Sequence, residues 1–451
     1  MNGKERILNI LDHKPIDQLP WVPFAGIHAG ALKDYSAREV LTDKDKLVES
    51  LLEVKRIYQP DGMPIVFDLQ IEAEILGCEL VWAEDAPPSV KSHPLEFSKE
   101  IPCKCLVPQK TDGRLPMILE AMKEMYEHIG EDTALYGLIC GPFTLASHLR
   151  GSTIFMDMFD DEDYVVDLLD YANEVCKKVT DYYIEAGMDV IAVVDPLVSQ
   201  ISPDHFKQFM HKPFSELFNH IKTQGSKSSF FVCGNATPNI EVMCLTEPDS
   251  ISIDENVDMK TAKAITDKYN VIIGGNIPLT TVMLLGNQQD NMKCVIDLMD
   301  SVSHDNLIIA PGCDMPYAVP IENTIAVQQT IRQPEDVRKM IENYTSEDLN
   351  IDIELPNYNA LEKPIVEVFT LDSDTCAACT YMMDAAHIAK ETFGDLIEIV
   401  EYKFTSKENI ARCVKMNVPN LPSMYINGEL KYKSLIPKKS ALEQAIREKL
   451  K

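Results

Sequence analysis

Across residues 1–340, short apolar runs alternate with longer stretches in which apolar residues recur every three or four positions. The runs open at Trp21 (WVPFAG), Met63 (MPIVFDL), Ala134 (ALYGLICG), Val190 (VIAVVDP), Ser229 (SFFVCG), Ser250 (SISIDE), Val271 (VIIGGN) and Leu307 (LIIAPGC). Between them the spacing predicts helices. One starts at Asp43, with leucines and valines at helical intervals. A second starts at Asp160 with an acidic first turn, as the helix dipole favours, and stops at Gly187. A third starts at Ser202 with an N-cap serine and a proline, and Pro213 should kink or divide it. Strands that alternate with helices pair in parallel, because each helix carries the chain back across the sheet. Eight such units predict an α/β fold, a (β/α)8 TIM barrel over residues 1–340. An open doubly wound sheet is disfavoured, since the first strand–helix turn lacks a glycine-rich phosphate loop.

A barrel gathers the C-terminal ends of its strands around one mouth, where the chemistry sits. Here those ends carry Asp68, Gly141, Asp195, Cys233, Asp254, Asn276 and Cys313. Cys233 and Cys313 are eighty residues apart, too far for a local metal loop, yet the fifth and eighth runs face each other across a narrow mouth. Asp68 also suits the capping of its own following turn.

The texture changes after residue 340. A polar, acidic, proline-containing stretch reads as a linker over 341–362, followed by a second domain over 363–451. That domain runs strand, Cys-x-x-Cys, helix and strand, then a proline-bounded strand, an Asn427-Gly428 hairpin turn and another strand. The order resembles a small α/β thioredoxin-like domain. The resemblance makes Cys376 and Cys379 the redox pair and Pro422 the cis-proline facing it. The first turn of the helix that the pair opens favours the thiolate of Cys376, the expected nucleophile.

Composition narrows the function classes. The chain has 451 residues and a net charge of −29, which repels nucleic acid and anionic lipid. No run approaches the roughly 18 apolar residues of a membrane span, and the first residues lack a signal-peptide core, so a cytoplasmic location is expected. Twelve cysteines without an export signal do not suggest a disulfide framework. Cys140, Cys176 and Cys294 read as small buried hydrophobes, and Cys103 and Cys105 as an incidental pair on a loop or edge strand.

Five segments, DGMPIVFDLQIEAEILGCEL, CGPFTLASHLRGS, VCGNATPNI, IGGNIPLTTVMLLGN and IIAPGCDMPYAVPIENTIAV, together resemble the uroporphyrinogen decarboxylase superfamily. Within it they look most like the cobamide-dependent methyltransferase branch, over roughly residues 1–335. The resemblance implies a β/α barrel and methyl transfer between a methylated corrinoid, held by a partner protein, and a small acceptor such as a thiol. A homodimer is compatible with it. In the thiol-methylating members the fifth strand carries His-x-Cys and the eighth a second cysteine, and the three hold zinc. Cys233 and Cys313 match two of those positions, and Phe231 stands in the histidine's place. A catalytic zinc keeps three protein ligands, so a third partner is needed, with Asp254 or Asp195 nearest by topology. His148 and His28 read as ordinary loop or helix residues. The decarboxylase branch offers an alternative, in which Asp68 receives the pyrrole N–H groups of a tetrapyrrole. The stretch after Trp21 supplies only Lys33 and Arg38 for such a polyanion. A non-catalytic corrinoid or tetrapyrrole binder is a further alternative.

Overall fold

The computed structural model describes residues 1–346, 351–358, 360–374, 376–434 and 436–450, with Ala377 described by its backbone only. The chain divides into two compact units, Met1–Thr345 and Ser346–Lys451.

The first unit is built on seven parallel strands: β1 (Gly62–Pro64), β2 (Ala134–Cys140), β3 (Val190–Val194), β4 (Lys227–Val232), β5 (Ser250–Ile253), β6 (Ile272–Ile277) and β7 (Leu307–Pro311). They lie in chain order across the sheet. The eighth expected strand, at Trp21, is reduced to a single parallel bridge to Ile309. Ile309 N–H donates to Pro20 O, Val22 N–H donates to Ile309 O, each at 3.0 Å, and Asp61 N–H donates to Trp21 O at 2.9 Å. This segment therefore closes the ring between β7 and β1. Pro20 and Pro23 lack the N–H groups that would extend the ladder. Beneath the closure, the buried Asp61 carboxylate accepts from Trp21 N–H at 2.7 Å and pairs with Arg332 at 2.9 Å and with Arg6.

Helices lie between the strands as the spacing predicts. Asp43 caps Lys44–Tyr58 by accepting from the amides of Asp45 and Lys46. Asp161 caps the long Glu162–Glu185 helix. The Ser202 segment is divided: a wide π-helical turn at Phe206–Met210 precedes the helix His211–Thr223, whose first turn holds Pro213. The barrel interior is packed with Val22, Phe24, Phe67, Tyr136, Leu138, Ala192, Val194, Phe231, Ile308 and Ala310. Cys103 caps a short 3-10 turn, Lys104–Leu106, that contains Cys105, so neither lies on a strand, and both are exposed. Among the described residues no helix is long and apolar enough to cross a membrane.

The second unit has a four-stranded sheet: β8 (Ile365–Thr370), β9 (Glu398–Lys403), β10 (Ser423–Ile426) and β11 (Glu429–Lys433), in the order β9–β8–β10–β11. β8 and β9 are parallel; β10 runs antiparallel to both β8 and β11. Asn427 and Gly428 turn the hairpin with positive φ of 50° and 74°, as its two-residue loop requires. Val366, Val368, Met382, Phe393, Met424 and Ile446 give this unit its own core. Part of the expected linker is bonded within the unit. Lys415 pairs with Asp352 at 3.2 Å, and Tyr358 Oη donates to Glu367 at 2.9 Å. Residues 347–350 and 359 of that stretch lie outside the described residues.

Candidate active site

Both strand-end cysteines sit on tight turns. Cys233 follows β4 and precedes Gly234, whose φ of +79° suits glycine. Cys313 follows β7 and Gly312, where a Cβ would lie 2.7 Å from Glu255 N. The short segment after β5, Asp254–Glu255, serves both turns. The Asp254 carboxylate accepts from the Gly234 amide as well as from Asn256 N–H at 2.8 Å, and Glu255 backs Gly312. Asn276 locks this segment by donating to Asp254 O at 3.0 Å and to Val257 O at 2.7 Å. β4 and β7 are separated by two strands, yet the Cys233 and Cys313 sulfurs meet at 2.6 Å, both half-buried.

The floor under the thiols is aromatic. Cys233 and Cys313 pack on the cluster that contains Phe24, Phe67 and Phe231. The Phe231 ring lies 4.8 Å from Phe24 and 5.7 Å from Phe67, centroid to centroid, and is fully buried. It shares the inward side with Cys233, as residues two apart at a strand end should.

Among the described residues, no group of three His, Cys, Asp or Glu side chains could hold a metal ion. The two aspartates expected as third ligands are engaged elsewhere. Asp195 is fully buried and caps the helix Pro142–Arg150, accepting from Phe143 N–H at 2.9 Å, Thr144 N–H at 3.2 Å and Thr144 Oγ1 at 2.6 Å. Burial pushes its carboxyl up to about 6, against the lowering effect of those bonds. Asp254 is buried on its own turn, with its carboxyl raised by burial. The sulfur spacing also argues against zinc. Two thiolates on one tetrahedral zinc, with Zn–S near 2.3 Å, stand about 3.8 Å apart. At 2.6 Å no ion fits between Cys233 and Cys313, so the residues present do not fit a zinc centre. The histidines lie in the core: His28 Nδ1 bonds Tyr317 O at 3.0 Å and its Nε2 bonds Tyr58 Oη at 2.7 Å, and desolvation pushes the ring down to about 4. His148 is buried and pushed down to about 3.

Asp68, four residues beyond β1, is buried against Arg114 at 2.6 Å and caps Gln70 N–H at 2.8 Å. Arg114 in turn pairs with Glu74 at 2.7 Å and stacks over Trp82 at 5.0 Å. The spacing pattern missed Arg114, which lies outside the strand-end motifs. It also missed two carboxyl groups beside the cysteines. Glu255 accepts from Leu279 N–H and is pushed up to about 8 by burial, with Asp254 beside it. Asp314 accepts from Gly26 N–H at 2.8 Å, and burial raises it well above the carboxylate range. The signal for both was adjacency, since each directly follows a strand-end residue already singled out.

In the second unit, Cys376 stands at the N-terminus of the helix Ala377–Phe393, and its sulfur accepts from Cys379 N–H at 3.3 Å. Cys379 is buried, receives Leu371 N–H at 3.4 Å, and is raised far above the usual thiol range by burial and the neighbouring Cys376. The Leu421–Pro422 bond is cis.

The uroporphyrinogen decarboxylase (URO-D) family model matches residues 2–334, and the chain belongs to that family, on its methyltransferase branch. It is 27% identical over 327 residues to the methylcobamide:CoM methyltransferase MtbA of Methanosarcina acetivorans, covering 71% of this chain and 94% of the relative. It is 26% identical over 311 residues to the uroporphyrinogen decarboxylase of a Wolbachia symbiont of Brugia malayi, covering 67% and 86%. Among solved structures it resembles a methyltransferase from Methanosarcina mazei, with a TM-score of 0.65 at 25% identity, covering 76% of this chain and 99% of that one.

Proposed function

We propose that the first unit is a corrinoid-linked methyltransferase that moves a methyl group between a methylated cobamide, carried as substrate by a separate corrinoid protein, and a small thiol bound at the barrel mouth. The observation that carries the reading is the pair of thiols, Cys233 and Cys313, converging over an aromatic floor at the mouth. The similarity to methylcobamide:CoM methyltransferases over most of their length supports it.

The chain's own contribution is positioning and proton transfer. Phe24, Phe67 and Phe231 exclude water from one side of the acceptor sulfur, which strengthens every electrostatic contact there. A thiol must lose its proton before it can accept a methyl group. Glu255 backs the Cys313 turn through its backbone, and its buried carboxyl, pushed up to about 8 and accepting from Leu279 N–H, can take that proton only in its ionised form, which grows as pH rises towards 8. Cys233 and Cys313 hold the acceptor in register by S–H hydrogen bonding. Asp68, neutralised by Arg114, shapes the wall. The same pairing disfavours the decarboxylase alternative, because the carboxylate that would receive pyrrole N–H groups is already occupied by a guanidinium.

In the second unit we assign thiol–disulfide exchange to Cys376 as nucleophile and Cys379 as resolving thiol, with Pro422 as the cis-proline that the resemblance pairs with them. The support is the helix-start hydrogen bond to the Cys376 sulfur and the burial of Cys379.

The test is demethylation of methylcobalamin by the reduced full-length chain with a panel of small thiols, followed by the cobalamin absorbance. Turnover with at least one thiol and a loss of 100-fold or more in Cys233→Ala are expected. No demethylation with any thiol, or a Cys233→Ala variant as fast as the parent, overturns the assignment.

A further inference from the structure

We infer that Cys233 and Cys313 form a reversible disulfide at the barrel mouth, a redox couple that a Cys376–Cys379 dithiol, of the same chain or of another copy, reduces. The first half stands on geometry alone. The second half rests on the thiol-exchange assignment of the second unit.

Three observations point the same way. The two sulfurs are 2.6 Å apart, too close to share a metal ion, whereas a disulfide bond of about 2.05 Å needs only a small further approach. The groups that would turn a thiol pair into a metal site are missing or engaged: Phe231 offers no donor atom, Asp195 caps a helix, and Asp254 caps the Cys233 turn. Both cysteines are also pre-positioned. Gly312, before Cys313, is pressed against Asp254–Glu255, and the Gly234 amide, after Cys233, donates to the Asp254 carboxylate, so one segment holds both turns and closing the bond demands no rearrangement of the strands that carry them. Both are half-buried, which leaves the sulfurs open to a small reagent from the mouth.

The couple balances as ordinary exchange. A low-molecular-weight disulfide, R–S–S–R, is the oxidant. The thiolate of Cys233 or Cys313 attacks one of its sulfurs and expels RS⁻. The other cysteine then attacks the mixed disulfide and expels a second RS⁻, so the two thiols lose two electrons and two protons in total. Reduction runs the same path. The Cys376 thiolate attacks one sulfur of the Cys233–Cys313 bond and releases the other as thiolate. Cys379 then resolves the mixed disulfide, leaving Cys376–Cys379 oxidised and both barrel thiols restored. The Cys376–Cys379 pair of the same chain or of another copy satisfies this scheme. Because the mouth thiols are absent in the oxidised form, the couple is also a switch on whatever chemistry they serve.

The experiment needs no methyl transfer. The full-length chain is equilibrated anaerobically in glutathione buffers of stepped potential, quenched in acid, and alkylated with two isotopic reagents before and after reduction. Peptide mass spectrometry then assigns each cysteine. The expected result is that Cys233 and Cys313 titrate together with one midpoint, as a directly detected cross-linked peptide, while Cys140, Cys176 and Cys244 stay reduced throughout. Thiols at 233 and 313 that stay independently alkylatable at every potential overturn the couple. In Cys233→Ser, with an unchanged circular dichroism spectrum, Cys313 should carry only glutathione. A new intramolecular partner for Cys313 would also overturn it. For the reductant, oxidised chain is given one equivalent of a small dithiol. Cys376→Ser should regain its barrel thiols at least tenfold more slowly than the parent, and equal rates remove the second unit from the path while leaving the couple standing. Failure of methylcobalamin turnover with a normal redox titration would sink only the methyltransferase reading.

Discussion

At the scale of single residues, burial without partners makes a carboxyl group a measurable liability. Glu72 is almost fully buried beside β2, accepts from Cys140 N–H at a long 3.3 Å, and has no partner among the described residues for its second oxygen. Burial pushes it up to about 8. The folded chain thus holds a proton that the unfolded chain releases above about pH 4.5, so folding stability falls as pH rises from there towards 8. Glu72→Gln removes that penalty: stability near pH 4 should be little changed, while at pH 8 the variant should gain about 4 kcal/mol. Urea unfolding of parent and variant at the two pH values measures the difference, and an equal change at both would place the effect in packing instead. Asp195, raised to about 6 but held by three hydrogen bonds, should contribute in the same direction with a smaller amplitude between pH 4 and 6. Neither penalty was legible from spacing. The sequence places a carboxylate at a strand end or in the next turn, but only the fold decides whether amides, a guanidinium as at Asp68, or nothing meets it.

Elements were more legible than contacts. Seven of the eight apolar runs became barrel strands, because a strand buried on both faces reads as an uninterrupted apolar segment. The eighth, at Trp21, has the right hydrophobicity and the wrong backbone: its flanking prolines leave one bridge where a ladder was expected. The convergence of Cys233 and Cys313 followed from barrel topology, since strand ends share one mouth. That Asp254 and Asp195 would be taken up by backbone amides did not follow, because capping preferences are settled by neighbouring loops. The device that brings the thiols together is the Asp254–Glu255 segment between their turns, and Gly312 is its most exposed dependency. A Cβ there meets Glu255 N at 2.7 Å, a backbone contact that cannot swing aside. Gly312→Ala should therefore keep the barrel fold but displace Cys313. Disulfide formation between Cys233 and Cys313 under a fixed oxidising buffer should slow by at least tenfold, with unchanged far-ultraviolet circular dichroism. Parent-like kinetics would mean the turn has slack.

For the whole molecule, two separate cores and one cross-link across the barrel make unfolding diagnostic. The first unit is packed around Phe24, Phe67 and Phe231, the second around Val366, Met382 and Ile426. Each core belongs to its own compact unit, so calorimetry should resolve two transitions, where a single-domain protein shows one. A bond between Cys233 and Cys313 closes a loop of eighty residues. In the chain-entropy account such a loop restricts the unfolded state by about 4.5 kcal/mol. Spread over the unfolding entropy of a unit that ends at Thr345, at about 2.1 cal/mol/K per residue, this is a rise in midpoint of about 6 °C. Only the barrel transition can move in this way, since both cysteines lie within Met1–Thr345. Oxidising Cys376 and Cys379 closes a loop of a few residues, with a far smaller entropic effect on the second unit. The two transitions are assigned by repeating the scan on a chain truncated after Thr345, which should keep the barrel transition and its redox shift. Cys233→Ser should abolish the shift. A barrel midpoint indifferent to oxidant in the parent, or a shift that persists in Cys233→Ser, would show that the sulfurs at the mouth never join.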